Sequence, residues 1–188
     1  MLATGLLLLA VTIAGISDVR SRKIYNWTTY PGILAALALN AFVALRWVPP
    51  EEPFARDTLG CIGLEESFKG LALCGGLMLA GFVLFGVGGG DVKLLAMAGA
   101  FLGVEPGLEV LLWTFVLGGI WGAVLLIWRF GAVRLVRRGC GCVWSIVRWT
   151  TWPELTPEER GLLRSDLYLA PFAGVAVILV KSGWLPNL

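Results

Sequence analysis

The stretch "FGVGGGDVKLLAMAGAFLG", residues 85–103, sets a carboxylate on a glycine hinge between two apolar runs. The first run ends at Phe85, glycines follow at 88–90, and Asp91 directly precedes the second run. Glycine allows backbone conformations and close approaches that other residues cannot reach. At membrane depth, irregular backbone is tolerated only against protein or a water-filled cavity. If the flanking runs are membrane helices, the stretch therefore predicts a polar cavity around Asp91.

The composition of the chain is that of a membrane protein. Of the 188 residues, 57% are hydrophobic and 15% are charged, whereas soluble domains carry about 25% charged residues. Basic residues flank the apolar runs instead of forming an aromatic-interleaved patch, so we expect no nucleic-acid partner. The chain has no histidine, which excludes histidine-based triads and histidine-ligated zinc.

Cysteine spacing gives no sign of a metal or redox site. The chain has no paired Cys-x-x-Cys motifs of the kind that form zinc ribbons. We expect reduced structural thiols and no metal site, and the four positions concerned are Cys61, Cys74, Cys140 and Cys142.

Apolar runs separated by short polar segments predict an all-α polytopic membrane protein with about six transmembrane helices. The chain then forms a single membrane-embedded domain. The expected spans are residues 2–17, 27–48, 70–87, 92–104, 108–128 and 167–185. The fourth of these is short. No basic segment precedes the first run, so we expect it to be a retained helix and not a cleaved signal peptide.

The basic residues indicate the orientation in the membrane. Because helices alternate in direction, segments 18–26, 88–93 and 129–166 lie on one side, and they hold eleven of the fifteen basic residues. The segments on the other side are mainly acidic. The positive-inside rule places the basic side in the cytoplasm and both termini outside. Segment 129–166 is then a cytoplasmic loop that either anchors on anionic lipid or contacts a substrate.

This topology brings two aspartates to the cytoplasmic side, Asp18 at the end of the first span and Asp91 before the fourth. Alone, Asp18 fits a solvated interface residue, and Asp91 fits the N-cap of a helix. Together they fit an aspartic protease dyad, in which two close carboxylates share one proton and activate water. That chemistry needs no histidine, metal or cofactor. Acids at glycine breaks also mark ion sites, so a small ion- or proton-coupled transporter is an alternative.

The two aspartate segments resemble the catalytic motifs of the bacterial type IV prepilin peptidases. "GGGD" at 88–91 matches the Gly-x-Gly-Asp signature of membrane aspartyl proteases, and "GGGDVKLLAMAGAFLG" resembles the second motif of the prepilin peptidases. "DVRSRKIYNW" at 18–27 resembles their first motif. "YLAPFAGVAVIL" at 168–179 resembles their last helix, including Pro171. The resemblance covers about 5–104 and 165–180.

The resemblance implies roles for individual residues. Asp18 and Asp91 are the catalytic pair, and Gly88 and Gly90 shape the active-site loop that presents Asp91. Lys93 matches a basic residue of the family and either steadies the local charge or is an interfacial lysine. The first motif also contains Arg20, Lys23 and Asn26. These residues are expected to orient the segment or to anchor it in lipid.

The resemblance also implies an activity and a location. The chain is expected to be an aspartic endopeptidase of the bacterial inner membrane, multi-pass, with its active site facing the cytoplasm. It removes the short basic leader from prepilins or pseudopilins, cuts after glycine, and has membrane lipid as its other partner. Without the paired Cys-x-x-Cys motifs of larger members, methyltransferase activity is not expected, which is typical of the short, peptidase-only branch that accompanies Tad-type pili.

Besides the transporter, two other functions remain open at the level of sequence. Presenilin-like intramembrane proteases share Gly-x-Gly-Asp, but they place the first aspartate within a helix, usually after tyrosine. Here Asp18 follows a serine and precedes a basic run, which favours the prepilin peptidase interpretation. A catalytically inactive scaffold for pilus assembly is the third alternative.

Overall fold

The computed structural model describes residues 2–21, 24–45, 59–130 and 169–183. Within these ranges the chain forms six α-helices and no β-strand, which confirms the all-α class. The helices are α1 (Leu2–Ser21), α2 (Asn26–Leu45), α3 (Leu64–Phe85), α4 (Gly89–Leu102), α5 (Val104–Phe130) and α6 (Leu169–Ser182). Apart from the end of α5, the expected loop 129–166 lies outside the described residues.

Four helices, α1, α2, α3 and α5, are long and apolar enough to cross a membrane, so the chain is a polytopic membrane protein. The other two have 14 residues each, or about 21 Å of helix against a hydrocarbon core of about 30 Å. The sixth expected span extends beyond the described part of α6 at both ends. That α4 and α6 each cross the membrane stays a prediction, as does the orientation of the termini.

The outer faces of the long helices are apolar. On α1, the buried residues Leu7, Val11 and Ala14 recur at helical spacing along one stripe. Leu9 and Ile16, on other faces of α1, are 59% and 62% exposed. A helix that is hydrophobic all round belongs in a protein core or in lipid. Since no part of the chain that the structure describes covers these faces, they fit a lipid environment.

Helix α4 lies at the centre of the bundle. It packs against α1, α2, α3 and α6, and all nine residues from Leu94 to Leu102 are buried. Because neighbours surround it, α4 has no solvent-facing stripe and its sequence is apolar on every side. This explains the uninterrupted run "LLAMAGAFL" that follows Lys93.

Small residues allow α3 to contact the C-terminal end of α4 backbone to backbone. A Cβ atom on Gly70 would overlap the carbonyl oxygen of Gly99, and a Cβ on Gly99 would overlap that of Gly70. One turn away, the buried hydroxyl of Ser67 donates a hydrogen bond of 2.6 Å to the carbonyl of Ala100. Close crossings of this kind are typical of membrane helices, which associate through packing and short polar contacts.

A buried asparagine joins α2 to the segment before α3. The Oδ1 atom of Asn40 accepts hydrogen bonds of 3.0 Å from the backbone amides of Ile62 and Gly63. Its Nδ2 atom donates to the carbonyl of Ala36 at 2.9 Å. Both polar ends of this buried side chain are therefore satisfied. The asparagine holds segment 59–63 against α2.

Several helix boundaries differ from those expected. The segment "EPGLE", 105–109, covers the loop expected at 105–107 between the fourth and fifth spans, but it lies in α5, which only Gly103 separates from α4. Pro106 is tolerated there because first-turn amides have no partner within the helix. Gly103 makes the sharp connection with a φ of 88°. Helix α1 also continues past the expected residue 17 to Ser21, which places Asp18 inside a helix.

Contacts divide the chain into two compact units. The first comprises the chain up to Phe115 together with residues 168–188, and thus holds α1 to α4, the start of α5, and α6. The second is 116–167, of which the structure describes only the remainder of α5. All structural contacts discussed below lie within the first unit.

Candidate active site

Asp18 lies in the last turns of α1, on the face that packs into the bundle. It follows Val11, Ala14 and Gly15 by seven, four and three residues, and all three are buried. Residues at these spacings share one side of a helix. Asp18 itself is half-buried. A carboxylate that continues a buried stripe faces protein, which argues against a purely solvated interface residue.

The N-terminus of α6 meets α1 at Asp18. The backbone amide of Ala170, in the first turn of α6, interacts with the Asp18 carboxylate. The two helices pack closely nearby, since a Cβ on Gly15 would lie 3.8 Å from the Cα of Pro171. Helix N-termini carry unpaired amides and a partial positive charge that favour a carboxylate. The sequence did not assign this contact, and its only trace was the position of Pro171.

Asp91 lies in the first turn of α4, three residues after the N-cap. Gly88 holds the cap position with an extended backbone, φ −61° and ψ 132°, and no side chain caps the helix. The N-cap interpretation of Asp91 was therefore wrong. A Cβ on Gly88 would lie 2.8 Å from Oδ2 of Asp91. A side chain at position 88 would therefore displace the Asp91 carboxylate from its present position.

Gly90 is required for a different reason, which is a close approach between chain segments. A Cβ on Gly90 would lie 2.9 Å from the Cβ of Ile24, which follows α1. Neither Gly88 nor Gly90 has a positive φ, and in this region only Gly86, the left-handed C-cap of α3, does. The expectation of an unusual backbone around Asp91 thus holds at Gly86, whereas Gly88 and Gly90 provide space.

The two carboxylates interact electrostatically. Asp91 lies outside the four helices that are long enough to cross the membrane. Its pKa is raised to about 6, mainly because burial disfavours the ionised form and also because Asp18 carries a like charge nearby. Their helices α1 and α4 contact each other, and both contact α6. The structure therefore brings Asp18 and Asp91 from separate segments into one electrostatic environment.

Lys93 faces α2. Its Nζ atom donates a hydrogen bond of 2.8 Å to Oδ1 of Asn26 and lies 5.1 Å from the centroid of the Tyr30 ring. The sequence singled out Lys93 and Asn26 separately, and the structure joins them. Of the other basic positions in the first motif, Arg20 is exposed near the end of α1, and Lys23 lies outside the described residues.

The described cysteines are buried thiols, Cys61 and Cys74; Cys140 and Cys142 fall outside the described ranges. In the part of the chain that the structure describes, no group of three or more cysteine, aspartate or glutamate side chains is arranged to hold a metal ion. The polar groups gathered around Asp18 and Asp91 are thus carboxylates, a backbone amide and the ends of two helices.

Comparison with known proteins gives a family match. A family model described as the Type IV leader peptidase family matches residues 5–123, well over half of the chain. The matched range includes α1 to α4 and most of α5, and it contains both carboxylates and the Lys93–Asn26 pair. No curated protein and no solved structure matches the chain.

Proposed function

Because the chain belongs to the type IV leader peptidase family, we propose that this membrane peptidase is an aspartic endopeptidase with Asp18 and Asp91 as its catalytic pair. The observation that supports this best is the electrostatic interaction between the two carboxylates, which come from helices far apart in sequence. Glycines leave room for the Asp91 carboxylate and for the neighbouring chain. Such an arrangement suits two acids that must share a proton.

The proposed chemistry follows from the sharing of one proton by the two carboxylates. In the singly protonated pair, one carboxylate is the base that takes a proton from water, while the other, which keeps the proton, donates it to the scissile carbonyl oxygen. The resulting hydroxide equivalent attacks the carbonyl carbon. Two carboxyl groups at close range cannot both ionise readily, because their negative charges repel, so the pair retains one proton.

The proposed substrate is a prepilin or pseudopilin with a short basic leader that ends in glycine. We propose cleavage after that glycine at the cytoplasmic face of the bacterial inner membrane. The excess of basic residues on the side that carries Asp18 and Asp91 supports this orientation. A peptide bond in a regular helix is shielded by its hydrogen bonds, so a bond just before the pilin helix is easier to open. The reaction needs no cofactor.

The test is cleavage of a prepilin by the purified full chain in detergent, with the cut located by mass spectrometry. Asp18→Asn and Asp91→Asn should each lower the cleavage rate by about 10³-fold or more while the thermal unfolding midpoint shows that the protein still folds. Glu105→Gln is the matched control, because Glu105 is an exposed carboxylate beyond the C-terminal end of α4. Cleavage that survives in either aspartate variant contradicts the assignment.

A further inference from the structure

One side of the first turns of α4 is docked on residues 24–26, which lead into α2 and include its first residue. Gly90 and Lys93 are three residues apart and therefore lie on the same face of the helix. Ile24 packs over Gly90, and Asn26 accepts the hydrogen bond from Lys93. Two residues on one face of α4 thus contact two nearby residues of a single short segment. In sequence, residues 24–26 follow α1, the helix that carries Asp18, after two residues.

The ammonium group of Lys93 is held by two partners on the first turn of α2. Asn26 supplies an amide oxygen at 2.8 Å, and Tyr30, one turn further on, supplies the face of its ring at 5.1 Å. A hydrogen bond from a charged donor is stronger than one between neutral groups, and a cation over an aromatic ring adds to it. Lys93 is half-buried, and its hydrogen bond to Asn26 lies at the surface. Its direction is thus set by α2.

The direction of Lys93 also sets the direction of Asp91. Residues two apart on a helix do not face the same side. When Lys93 faces α2, Asp91 must face away from it, and the structure has Asp91 in the electrostatic environment of Asp18 on α1. A rotation of the N-terminal turn of α4 would move both side chains together. The bond to Asn26 therefore restrains the rotation that would turn Asp91 away from its partner.

We propose that Lys93 is a positioning residue, which acts by holding Asn26 and thereby fixes the rotation of α4 that points Asp91 toward Asp18. This inference rests on the proposed function for its kinetic consequences. It differs from a role in which the lysine charge acts directly on the carboxylates. Under the positioning role, removal of either partner of the hydrogen bond lowers the rate, even though only one of the two substitutions removes a charge.

The experiment compares Lys93→Met, Asn26→Ala and the double variant in the prepilin cleavage assay. We expect each single variant to lower kcat by about fivefold to tenfold with KM nearly unchanged, as for loss of one charge-assisted hydrogen bond. The double variant should be no slower than the slower single variant. Asn26→Asp keeps an acceptor oxygen and should remain close to wild type. Lys69→Met, which removes an exposed lysine paired with Glu65 on α3, is the control and should not change kcat.

The pH profile separates positioning from a charge effect. All variants should keep the wild-type midpoints of kcat/KM against pH, because the charge of Lys93 does not set the protonation of the pair. A loss in Lys93→Met without a loss in Asn26→Ala, or a shifted midpoint in Lys93→Met alone, overturns the proposal. Strictly multiplicative losses in the double variant, or no loss in either single variant, overturn it as well.

A cross-linking assay tests the position of Asp91 without any peptidase activity. In a full chain with its four native cysteines replaced by alanine, Asp18→Cys and Asp91→Cys are cross-linked with a short bifunctional thiol reagent. Lys93→Met should slow the reaction about fivefold or more, and Lys69→Met should not. Equal rates overturn the positioning role. If the wild-type chain does not cleave prepilin, the proposed function fails, and the cross-linking rates still decide whether Lys93 positions α4.

Discussion

The glycine pair at the start of α4 provides a sharp test, because two adjacent glycines have opposite surroundings. A Cβ on Gly90 would lie 2.9 Å from the Cβ of Ile24, whereas a Cβ on Gly89 would meet only the Cε2 atom of Phe82 at 3.8 Å. Unstrained carbon atoms stay about 3.5–4.0 Å apart. Gly90→Ala therefore forces a displacement, and Gly89→Ala does not.

The size of the effect follows from the geometry. The overlap in Gly90→Ala is relieved only by a shift of about 0.6–1 Å. Both Cβ atoms are attached directly to backbone, so the shift must separate the first turn of α4 from the segment that contains Ile24. A misplacement of about 1 Å at a catalytic group costs about 10²-fold in rate. We expect kcat/KM for prepilin cleavage to fall by roughly 100-fold in Gly90→Ala.

Gly89→Ala is the matched control, since it makes the same chemical change one residue away. It should keep kcat/KM near that of wild type and should raise the unfolding midpoint slightly, because alanine is favoured over glycine in helices by up to about 1 kcal/mol. Cleavage kinetics and thermal unfolding of the purified proteins measure both effects. Wild-type activity in Gly90→Ala would refute the steric argument. Equal losses in the two variants would show that backbone flexibility, and not the contact with Ile24, is what matters.

Three further predictions concern pH and stability. The value of kcat/KM should fall as pH rises above about 6, because the pair loses its shared proton as Asp91 ionises; a profile that stays flat from about pH 5 to 8 would contradict this. Gly70→Ala should lower the unfolding midpoint by roughly 5 °C, because its Cβ overlaps the backbone of α4, whereas Gly76→Ala, which has open space around it, should leave the midpoint unchanged. Asn40→Ala removes the acceptor of two amides at 62–63 and should cost about 1–3 kcal/mol of unfolding free energy, seen as faster amide exchange in that segment with cleavage kinetics retained.

The fold class and the helices were predictable because they depend on local composition. A run of about 20 apolar residues specifies a membrane helix whatever it packs against, and four of the six expected runs are helices of that length. The boundaries were less predictable. The segment 105–109 is polar and contains Pro106, which suggested a loop, but a proline in the first turn of a helix leaves no amide unpaired. The end of α1 was placed too early, because the charged residues from Asp18 onward ended the apolar run before the helix ended.

The candidate site was predictable only in part. Asp18 and Asp91 were identified from their motifs and their common side of the membrane, and Lys93 and Asn26 from the same motifs. No local signal could join Lys93 to Asn26, since the two lie 67 positions apart in sequence. The contact between Ala170 and Asp18 joins residues even further apart. Contacts of this kind depend on how the helices rotate and cross, and hydrophobic periodicity does not encode rotation when a helix is apolar on all sides.

The sequence by itself determined that this chain forms apolar helices in a membrane, with two aspartates that follow the same pattern as a known peptidase family. Only the tertiary structure decided that α4 is central, that Gly90 leaves room for Ile24, and that Lys93 is held by α2. The physical reason is that the free energy of transferring a helix into lipid is a sum over its residues, so composition alone sets it. The meeting of helix faces depends instead on the fit of small residues and a few polar contacts between segments distant in sequence.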